Sequence, residues 1–242
     1  MFHPKGGVSL SLKREDNMSI RTCVFDAYGT IFDVNSAARR AAERPDQSAL
    51  ARVWPRLAAD WRMKQLQYTW LRAITGHHTD FWQVTKDGLD WAMEAQGLED
   101  PILRETLLAL YWELEAFPEV PQLLSDLKEQ GMTCAILSNG SPDMLEGAVE
   151  FAGIEGLLDT VISVESVGIF KPSSKVYDLV PERLGCAANE VLFVSSNGWD
   201  IAGASAYGFR TVWVNRVGEP MDRLFANPHH VLSDLTTLAE LI

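Results

Sequence analysis

A carboxylate follows the first apolar run of the chain. Asp26 comes directly after Thr22–Phe25 and directly before residues 27–30, a short turn that contains Gly29. In open α/β sheets, ligands bind just outside the carboxyl ends of the strands, where a charged side chain faces the ligand while the packed strand holds it in place. Asp26 is therefore a candidate for chemistry, and an Asp that only caps the next turn is the alternative.

Three later segments also place polar side chains near predicted strand ends. They are Ser138-Asn139-Gly140-Ser141 after the run 133–137, Phe170-Lys171-Pro172, and Ser195-Ser196-Asn197-Gly198-Trp199-Asp200 after the run 191–194. Each segment has an ordinary explanation: helix capping, a solvated loop charge at Lys171, or a favourable first-turn charge at Asp200. Polar residues at four strand ends on one sheet edge favour a shared site over these separate explanations.

The intervening segments predict an α/β fold with a helical insertion. From Pro118 onward, continuous apolar runs alternate with helical stretches, which is typical of a parallel sheet covered on both faces. Strands are predicted near residues 24–25, 133–137, 160–162, 191–194 and 211–214, and helices over 121–130, over 176–184, and from 142 and 199 onward. Residues 34–115 hold six of the eight tryptophans and predict helices, one of which begins at Asp100-Pro101. Most of these tryptophans are expected in the core.

The composition argues against several classes of partner. The formal net charge is -12 and the Lys and Arg residues are scattered, which disfavours nucleic acid and anionic membranes. No apolar stretch approaches the length of a membrane span. The three cysteines are far apart and form no Cys-x-x-Cys pair, so we expect reduced thiols, a cytoplasmic protein and no zinc site. Residues 1–17 lack a signal peptide's apolar stretch and are expected to be a disordered extension, with Met18 as the true start.

The four segments resemble, in order, the motifs of the haloacid dehalogenase (HAD) superfamily, and within it the chain resembles the L-2-haloacid dehalogenases. The first motif is Asp26-Ala27-Tyr28-Gly29-Thr30-Ile31-Phe32-Asp33, and the likeness extends from Ile20 to the end of the chain. The resemblance implies a Rossmann-like parallel-sheet core with a helical cap subdomain inserted after the first strand. It places the core in residues 18–33 and 116–242 and the cap in residues 34–115.

Two differences from the phosphatases on this scaffold favour carbon–halogen chemistry. Those phosphatases place a second Asp two residues after the nucleophile to protonate the leaving group, where this chain has Tyr28. They also hold Mg²⁺ with an acidic residue at the start of the fourth motif, where this chain has Ser195, Ser196 and Asn197. A halide leaves carbon as a stable anion without a proton or a metal, so we expect no metal and no cofactor.

The resemblance also implies a reaction and a set of site residues. Asp26 would displace the halide from a short L-2-haloalkanoic acid, and hydrolysis of the resulting aspartyl ester would give the D-2-hydroxy acid. The implied catalytic residues beside Asp26 are Thr30, Arg62, Ser138, Lys171, Tyr177, Ser195, Asn197 and Asp200. The implied substrate-binding residues are Tyr28, Arg62, Leu66, Phe81, Ser138, Asn139 and Trp199.

Individual roles follow from the same resemblance. Arg62 would bind the leaving halide, because its guanidinium is always charged. Lys171 would keep Asp26 ionised by its opposite charge, and Asp200 would orient or deprotonate the hydrolytic water. The apolar wall around the substrate's alkyl group would consist of Tyr28, Leu66, Phe81 and Trp199.

Some features of the sequence stay open. Met63 stands where family members can carry a glutamine, which would leave the halide fewer donors. His77 and His78 lie between helical segments without a recognisable partner and are interpreted as loop. A homodimer formed through the Trp-rich insertion is expected. A phosphatase or phosphonate hydrolase of the superfamily, and a non-catalytic binding protein on the same scaffold, are the alternative functions.

Overall fold

A parallel β-sheet forms the centre of the protein. The computed structural model describes residues 19–44 and 48–242, so the predicted extension over residues 1–17 and the predicted start at Met18 lie outside the described residues. The strands are β1 (Thr22–Phe25), β2 (Thr133–Ser138), β3 (Thr160–Ser163), β4 (Val191–Ser195), β5 (Arg210–Val214) and β6 (His230–Leu232). The helices are α1 (Ser36–Ala42), α2 (Ser48–Thr75), α3 (Phe81–Ala95), α4 (Pro101–Tyr111), α5 (Val120–Glu129), α6 (Pro142–Ala152), α7 (Ser174–Tyr177), α8 (Leu179–Leu184) and α9 (Gly198–Tyr207). Within the described ranges, none of these helices is long and apolar enough to cross a membrane.

The order of the strands places β1 near the middle of the sheet. In the described part of the chain, the six strands run in the order β3-β2-β1-β4-β5-β6, and every neighbouring pair is parallel. Phe25 of β1 lies opposite Ile136 of β2 and Val194 of β4. All four residues of β1 are buried. The predicted α/β class with a parallel sheet is confirmed. The carboxyl end of β1 lies near the centre of one edge of this sheet.

Two elements differ from the predicted pattern. The helix predicted over residues 176–184 is interrupted, and α7 and α8 meet at Asp178 instead. Pro181 has no N–H to donate to the carbonyl of Tyr177, so the helical hydrogen-bond ladder cannot continue across this point. The sequence pattern also does not predict β6, because this strand has only three residues, begins with His230 and is partly exposed.

Helices α1 to α4, called the cap helices below, follow β1 and pack on one another. A buried polar network joins them. Trp61 Nε1 donates to the carbonyl of Thr85 (2.8 Å), and Gln65 Nε2 donates to Oγ1 of Thr85 (2.9 Å) and to the hydroxyl of Tyr111 (3.0 Å). These bonds satisfy groups that would be costly to bury unpaired. As predicted, Asp100 precedes α4, and its carboxylate accepts two backbone N–H groups of the first turn.

The tryptophans of the cap helices are mostly packed. Trp61 is 2% exposed, whereas Trp91 on α3 is 37% exposed. Three further tryptophans are partly buried and pack against the hydrophobic core, namely Trp54, Trp82 and Trp112. Trp70 instead meets Trp199 edge to face, with ring centroids 5.5 Å apart. The prediction of core packing therefore holds for most of the six, while Trp70 contacts one of the predicted site residues.

The chain passes between the cap helices and the sheet at two adjacent points. The N–H of Asp33 donates to the carbonyl of Glu115 (2.8 Å), and the N–H of Phe117 donates to the carbonyl of Ile31 (2.9 Å). These bonds tie the base of the cap helices to the turn that follows Asp26. The boundaries of core and cap at residues 33/34 and 115/116 stay a prediction.

Candidate active site

Asp26 is held at the carboxyl end of β1 by both its backbone and its side chain. Its N–H donates to the carbonyl of Val194 (2.9 Å), which continues the β1–β4 pairing one residue beyond the strand. The side chain is largely buried and accepts three hydrogen bonds. Thr30 Oγ1 and Asn197 Nδ2 each donate to Oδ2 at 3.0 Å, and Lys171 Nζ donates to Oδ1 at 3.1 Å. Both carboxylate oxygens therefore have donors, which fix the orientation of the Asp26 side chain.

The turn after Asp26 contacts the loop after β4. Thr30 Oγ1, which donates to Asp26, also accepts the backbone N–H of Ser196 (2.8 Å). Gly29 has φ +87, a conformation that side-chain-bearing residues rarely adopt, and a Cβ there would lie 3.0 Å from Oγ of Ser196. The close approach of these two loops therefore depends on a glycine at position 29.

Lys171 joins two buried carboxylates. Its side chain is fully buried, and Nζ donates to Oδ2 of Asp200 (2.8 Å) as well as to Asp26. Burial by itself would lower the pKa of Lys171, but the two carboxylates outweigh it and raise this pKa, so the ammonium stays charged. The solvated-loop alternative for Lys171 is thereby contradicted. Within residues 19–44 and 48–242, no group of three or more His, Cys, Asp or Glu side chains is placed to hold a metal ion.

Asp200 is the second carboxylate of this group and is fully buried at the start of α9. Burial raises its pKa, an effect that Lys171 and the hydroxyl of Tyr177 only partly oppose. Tyr177 OH donates to Oδ1 of Asp200 (2.7 Å), so Tyr177 reaches Lys171 through this carboxylate. A carboxylate with a raised pKa is a stronger base than an exposed Asp.

Arg62 reaches the site from α2. Its Nη2 group donates to the carbonyl of Tyr28 (3.1 Å) and to Oδ1 of Asn197 (3.2 Å). The Asn197 side chain therefore links the cap helices to Asp26, because its Nδ2 donates to that carboxylate. The next residue, Met63, is 49% exposed, since successive side chains on a helix are turned by about 100° from one another.

Ser138, Asn139 and Ser195 are buried and organise the loops around the site. Ser138 Oγ accepts the N–H of Gly140 (3.1 Å), and Asn139 Oδ1 accepts the N–H of Lys171 (2.9 Å). Ser195 Oγ accepts the N–H of Asn197 (3.1 Å). The Asn139 bond fixes the backbone that carries Lys171, and the Ser195 bond fixes the backbone that carries Asn197.

Aromatic rings from the core and the cap helices meet beside these loops. Tyr28 stacks on Phe81 of α3 with centroids 5.6 Å apart, and Trp199 meets Trp70 of α2. Leu66 lies one helical turn after Arg62 and is half-buried. Among the described residues, Tyr28 OH and Trp199 Nε1 are buried without a hydrogen-bond partner. Burial raises the pKa of Tyr28 well above its usual range, so this hydroxyl stays a neutral donor.

Two features escape the sequence analysis. Arg216 donates from Nη2 to the carbonyl of Thr30 (2.9 Å) and from Nη1 to Glu119 (2.7 Å). It follows the end of β5 by two residues, so a polar side chain after a predicted strand was the signal for it. His77 and His78 lie in a loop between α2 and α3, as interpreted from the sequence, but His78 has a partner there: its Nε2 lies 2.9 Å from a carboxylate oxygen of Glu165. No local pattern predicts that contact across 87 residues.

Comparisons with known proteins agree with this geometry. A family model described as haloacid dehalogenase-like hydrolase matches residues 20–208. The chain is 45% identical over 224 residues to (S)-2-haloacid dehalogenase 1 of Pseudomonas sp. (strain CBS-3), which covers 92% of this chain and 96% of that one. It is 40% identical over 223 residues to the (S)-2-haloacid dehalogenase of Pseudomonas sp. (strain YL), with coverage of 92% and 94%.

Solved structures show the same relationship. The structure of L-2-haloacid dehalogenase from Xanthobacter autotrophicus with chloropropionic acid covalently bound aligns with a TM-score of 0.83 and 36% identity, covering 92% of this chain and 98% of that one. A dehalogenase with an intermediate complex aligns with a TM-score of 0.87 and 40% identity, covering 93% and 97%. The chain belongs to the haloacid dehalogenase-like hydrolases.

Proposed function

We propose that this protein is an (S)-2-haloacid dehalogenase, which hydrolyses short L-2-haloalkanoic acids to D-2-hydroxy acids and releases halide. The observation that carries the proposal is the Asp26 carboxylate, held at a strand end by Lys171, Thr30 and Asn197. Relatives with this activity in their names, at 40–45% identity over nearly the whole chain, support it.

In the first half of the reaction, Asp26 is the nucleophile. Its Oδ2 accepts two hydrogen bonds and its Oδ1 accepts one, so Oδ1 keeps more lone-pair density for attack. A bond forms between this oxygen and C2 of the substrate while the carbon–halogen bond breaks, and the bonding pair leaves with the halide. Attack from the side opposite the halogen inverts the carbon.

Cationic and neutral donors bind the two anionic groups of the substrate. Arg62, which already contacts Asn197, stabilises the charge that develops on the halide. Ser138 and Asn139 bind the substrate carboxylate and the halide, together with backbone N–H groups. The unpaired donors on Tyr28 and Trp199 support this assignment, because an anion would satisfy them. The apolar wall around the alkyl group consists of the rings of Tyr28, Phe81 and Trp199 together with Leu66.

In the second half, water attacks the carbonyl carbon of the Asp26 ester. Asp200 takes a proton from that water, and its raised pKa suits it to this role. Lys171 and Tyr177 hold Asp200 in place, and Ser195 and Asn197 belong to the same hydrogen-bond network. The acyl–oxygen bond then breaks, and Asp200 returns its proton to the leaving alkoxide to give the hydroxy acid. The second proton of the water passes to solvent, and Asp26 regains a carboxylate that contains one oxygen from water.

A halide-release assay tests the proposed reaction. The substrates are L- and D-2-chloropropionate and chloroacetate, each with and without EDTA. We expect chloride from the L isomer and from chloroacetate, little from the D isomer, and no effect of EDTA, because the halide leaves without a metal. Loss of activity in EDTA, or activity on phosphate esters alone, would contradict the proposal.

Single-turnover hydrolysis in heavy-oxygen water tests the covalent route. Because water attacks the carbonyl of Asp26, the label should enter Asp26 during the first turnover, and the product should carry an oxygen that was originally in the protein. Mass spectrometry of the Asp26 peptide and of the hydroxy acid measures the heavy-oxygen content of each. Label found directly in the hydroxy acid in that turnover would exclude an aspartyl ester.

We also propose that the enzyme works as a cytoplasmic homodimer. Exposed apolar side chains on α2 support self-association, namely Met63 (49% exposed), Leu71 (52%) and Ile74 (82%). Cys23, Cys134 and Cys186 are all unpaired, which suits a reducing compartment.

A further inference from the structure

A polar contact joins the cap helices to the core at a place that the proposed chemistry does not use. Glu165 lies in the turn that follows β3, and His78 lies between α2 and α3. Their side chains are 22% and 24% exposed, and His78 Nε2 is 2.9 Å from Oε2 of Glu165. The other carboxylate oxygen, Oε1, accepts the N–H of Phe81 (3.3 Å). One carboxylate of the core therefore binds two groups of the cap.

The N–H of Phe81 is one of the first groups of α3, and such groups have no partner within their own helix. A carboxylate at this end also interacts favourably with the helix dipole. The Phe81 ring is 1% exposed and lies 5.6 Å from the ring of Tyr28 and 6.3 Å from that of Phe170. Glu165 therefore holds the backbone of a residue whose ring belongs to the proposed wall of the substrate site.

The core end of this contact is itself fixed to the site loops. The N–H of Glu165 donates to Oγ of Ser163 (3.2 Å), and that hydroxyl donates to the carbonyl of Gly140 (2.6 Å) in the loop after β2. The His78 ring packs on the ring of Phe170, with centroids 4.7 Å apart. Phe170 directly precedes Lys171 in the chain. A shift of Glu165 or His78 would therefore displace two loops of the site as well as the start of α3.

We propose that Glu165 and His78 form a latch between the cap and the core that positions Phe81 and so determines how closely the site fits the substrate's alkyl group. Both are positioning residues, since neither contacts Asp26, Arg62 or Lys171. Asp26 is only 6% exposed, so the latch belongs to an arrangement in which this carboxylate is covered. The kinetic part of this inference rests on the proposed dehalogenase function, and the structural part does not.

Hydrogen exchange of the full-length protein tests the structural part. In Glu165→Ala, amides 78–84 should exchange about tenfold faster than in the wild type, because the N–H of Phe81 loses its acceptor. Glu165→Gln keeps an acceptor for that N–H and should restore most of the protection. The matched control is Asp90→Ala, which removes an exposed ion pair with Arg104 between α3 and α4. Unchanged exchange at 78–84 in Glu165→Ala, or equal acceleration in the control, would overturn the latch.

Steady-state halide release tests the kinetic part. Glu165→Ala should raise KM for L-2-chloropropionate about three- to tenfold and change kcat less than about twofold, because the nucleophile and its donors are untouched. Glu165→Gln should restore KM. A fall in kcat at unchanged KM would contradict the positioning of the wall. If the wild type releases no halide, the proposed function fails, and the exchange experiment still decides whether the latch exists.

Discussion

At the scale of single residues, one buried ammonium connects the two carboxyl groups of the site. Lys171 Nζ donates to both Asp26 and Asp200 and so joins the two buried carboxyl groups of the site. Two buried carboxylates without such a cation would repel each other, and one would take up a proton. In the proposed mechanism, Lys171 therefore allows Asp26 to act as the nucleophile and Asp200 to act as the base.

Asp200→Asn should separate the two halves of the reaction. An amide cannot take a proton from the hydrolytic water, so we expect one equivalent of halide per site and then turnover slowed by about 10²- to 10⁴-fold. Rapid-quench halide assays and intact-protein mass spectrometry would detect the burst and the trapped ester. Asp26→Asn is the matched control and should release no halide in the first turnover. Full turnover in Asp200→Asn would remove this residue from the proposed mechanism.

Arg216 contacts the turn that follows Asp26. Its guanidinium holds the carbonyl of Thr30, pairs with Glu119, and lies 3.6 Å from the ring centroid of Phe117. Arg216→Lys keeps the charge but loses the two guanidinium N–H groups that reach the Thr30 carbonyl and the Glu119 carboxylate at the same time. We predict that kcat for halide release falls about tenfold at unchanged KM, because Thr30 and Asp26 are less well placed. Arg56→Lys, at an exposed pair with Asp60, should match the wild type, and a selective rise in KM would refute this role.

At the scale of elements, the side chain of Asp159, directly before β3, holds the start of that strand against β2. Asp159 Oδ2 accepts the N–H of Cys134 (2.8 Å), and Lys128 Nζ donates to Oδ1 (2.6 Å). Burial by itself would raise the pKa of Asp159, but the bonds from Lys128 and Cys134 outweigh it and lower this pKa. The placement of β3 matters for the site, because its end carries Ser163 and leads into Glu165.

Asp159→Asn should destabilise the protein in a pH-dependent way. A carboxyl whose pKa is lower in the folded state contributes stability above its unfolded pKa of about 4 and loses it as pH falls through the folded value. We expect a loss of about 0.5–1 kcal/mol at neutral pH, a small value because the side chain is partly exposed. Urea unfolding at pH 7 and below pH 3 should show the difference vanish in acid. Asp126→Asn is the control, and an equal loss at both pH values would contradict the electrostatic origin.

At the scale of the whole molecule, α2 connects the site with the surface. This helix of 28 residues carries Arg62 towards Asn197 and exposes Leu71 and Ile74 near its carboxyl end. Exposed apolar side chains of this size are common at interfaces between protein copies. Self-association through α2 would also hold the helix that supplies the proposed halide ligand.

Leu71→Lys combined with Ile74→Lys should shift the protein towards the monomer. Burying two ammonium groups at an interface is unfavourable, so we expect a dimer for the wild type and a monomer for the variant at about 10 μM. Sedimentation velocity measures both masses. Ile102→Lys introduces the same change on α4 at a residue that is 79% exposed, and it should remain dimeric. A wild-type monomer, or a dimer in the double variant, would exclude this interface.

The sequence alone determined which side chains meet at the sheet edge. Polar residues that follow buried parallel strands must gather where the carboxyl ends of those strands lie, and this rule is enough to bring Asp26, Asn197 and Asp200 together. The sequence also predicted the start of α4, because Asp100 followed by proline is a helix-capping pattern, and Asp100 does cap this helix. The catalytic roles of the three site residues stay predictions.

The tertiary structure decided how the cap helices meet the core. Arg62 lies on a long helix with polar and apolar residues on all sides, so the pattern of the helix could not show which face turns towards Asn197, and only the family resemblance pointed to Arg62. The pairing of His78 with Glu165 and the reach of Arg216 to the carbonyl of Thr30 also depend on how separate elements pack. Strand ends are aligned by a repeating backbone hydrogen-bond pattern that local sequence encodes, whereas contacts between the cap and the core depend on the packing of surfaces far apart in the chain.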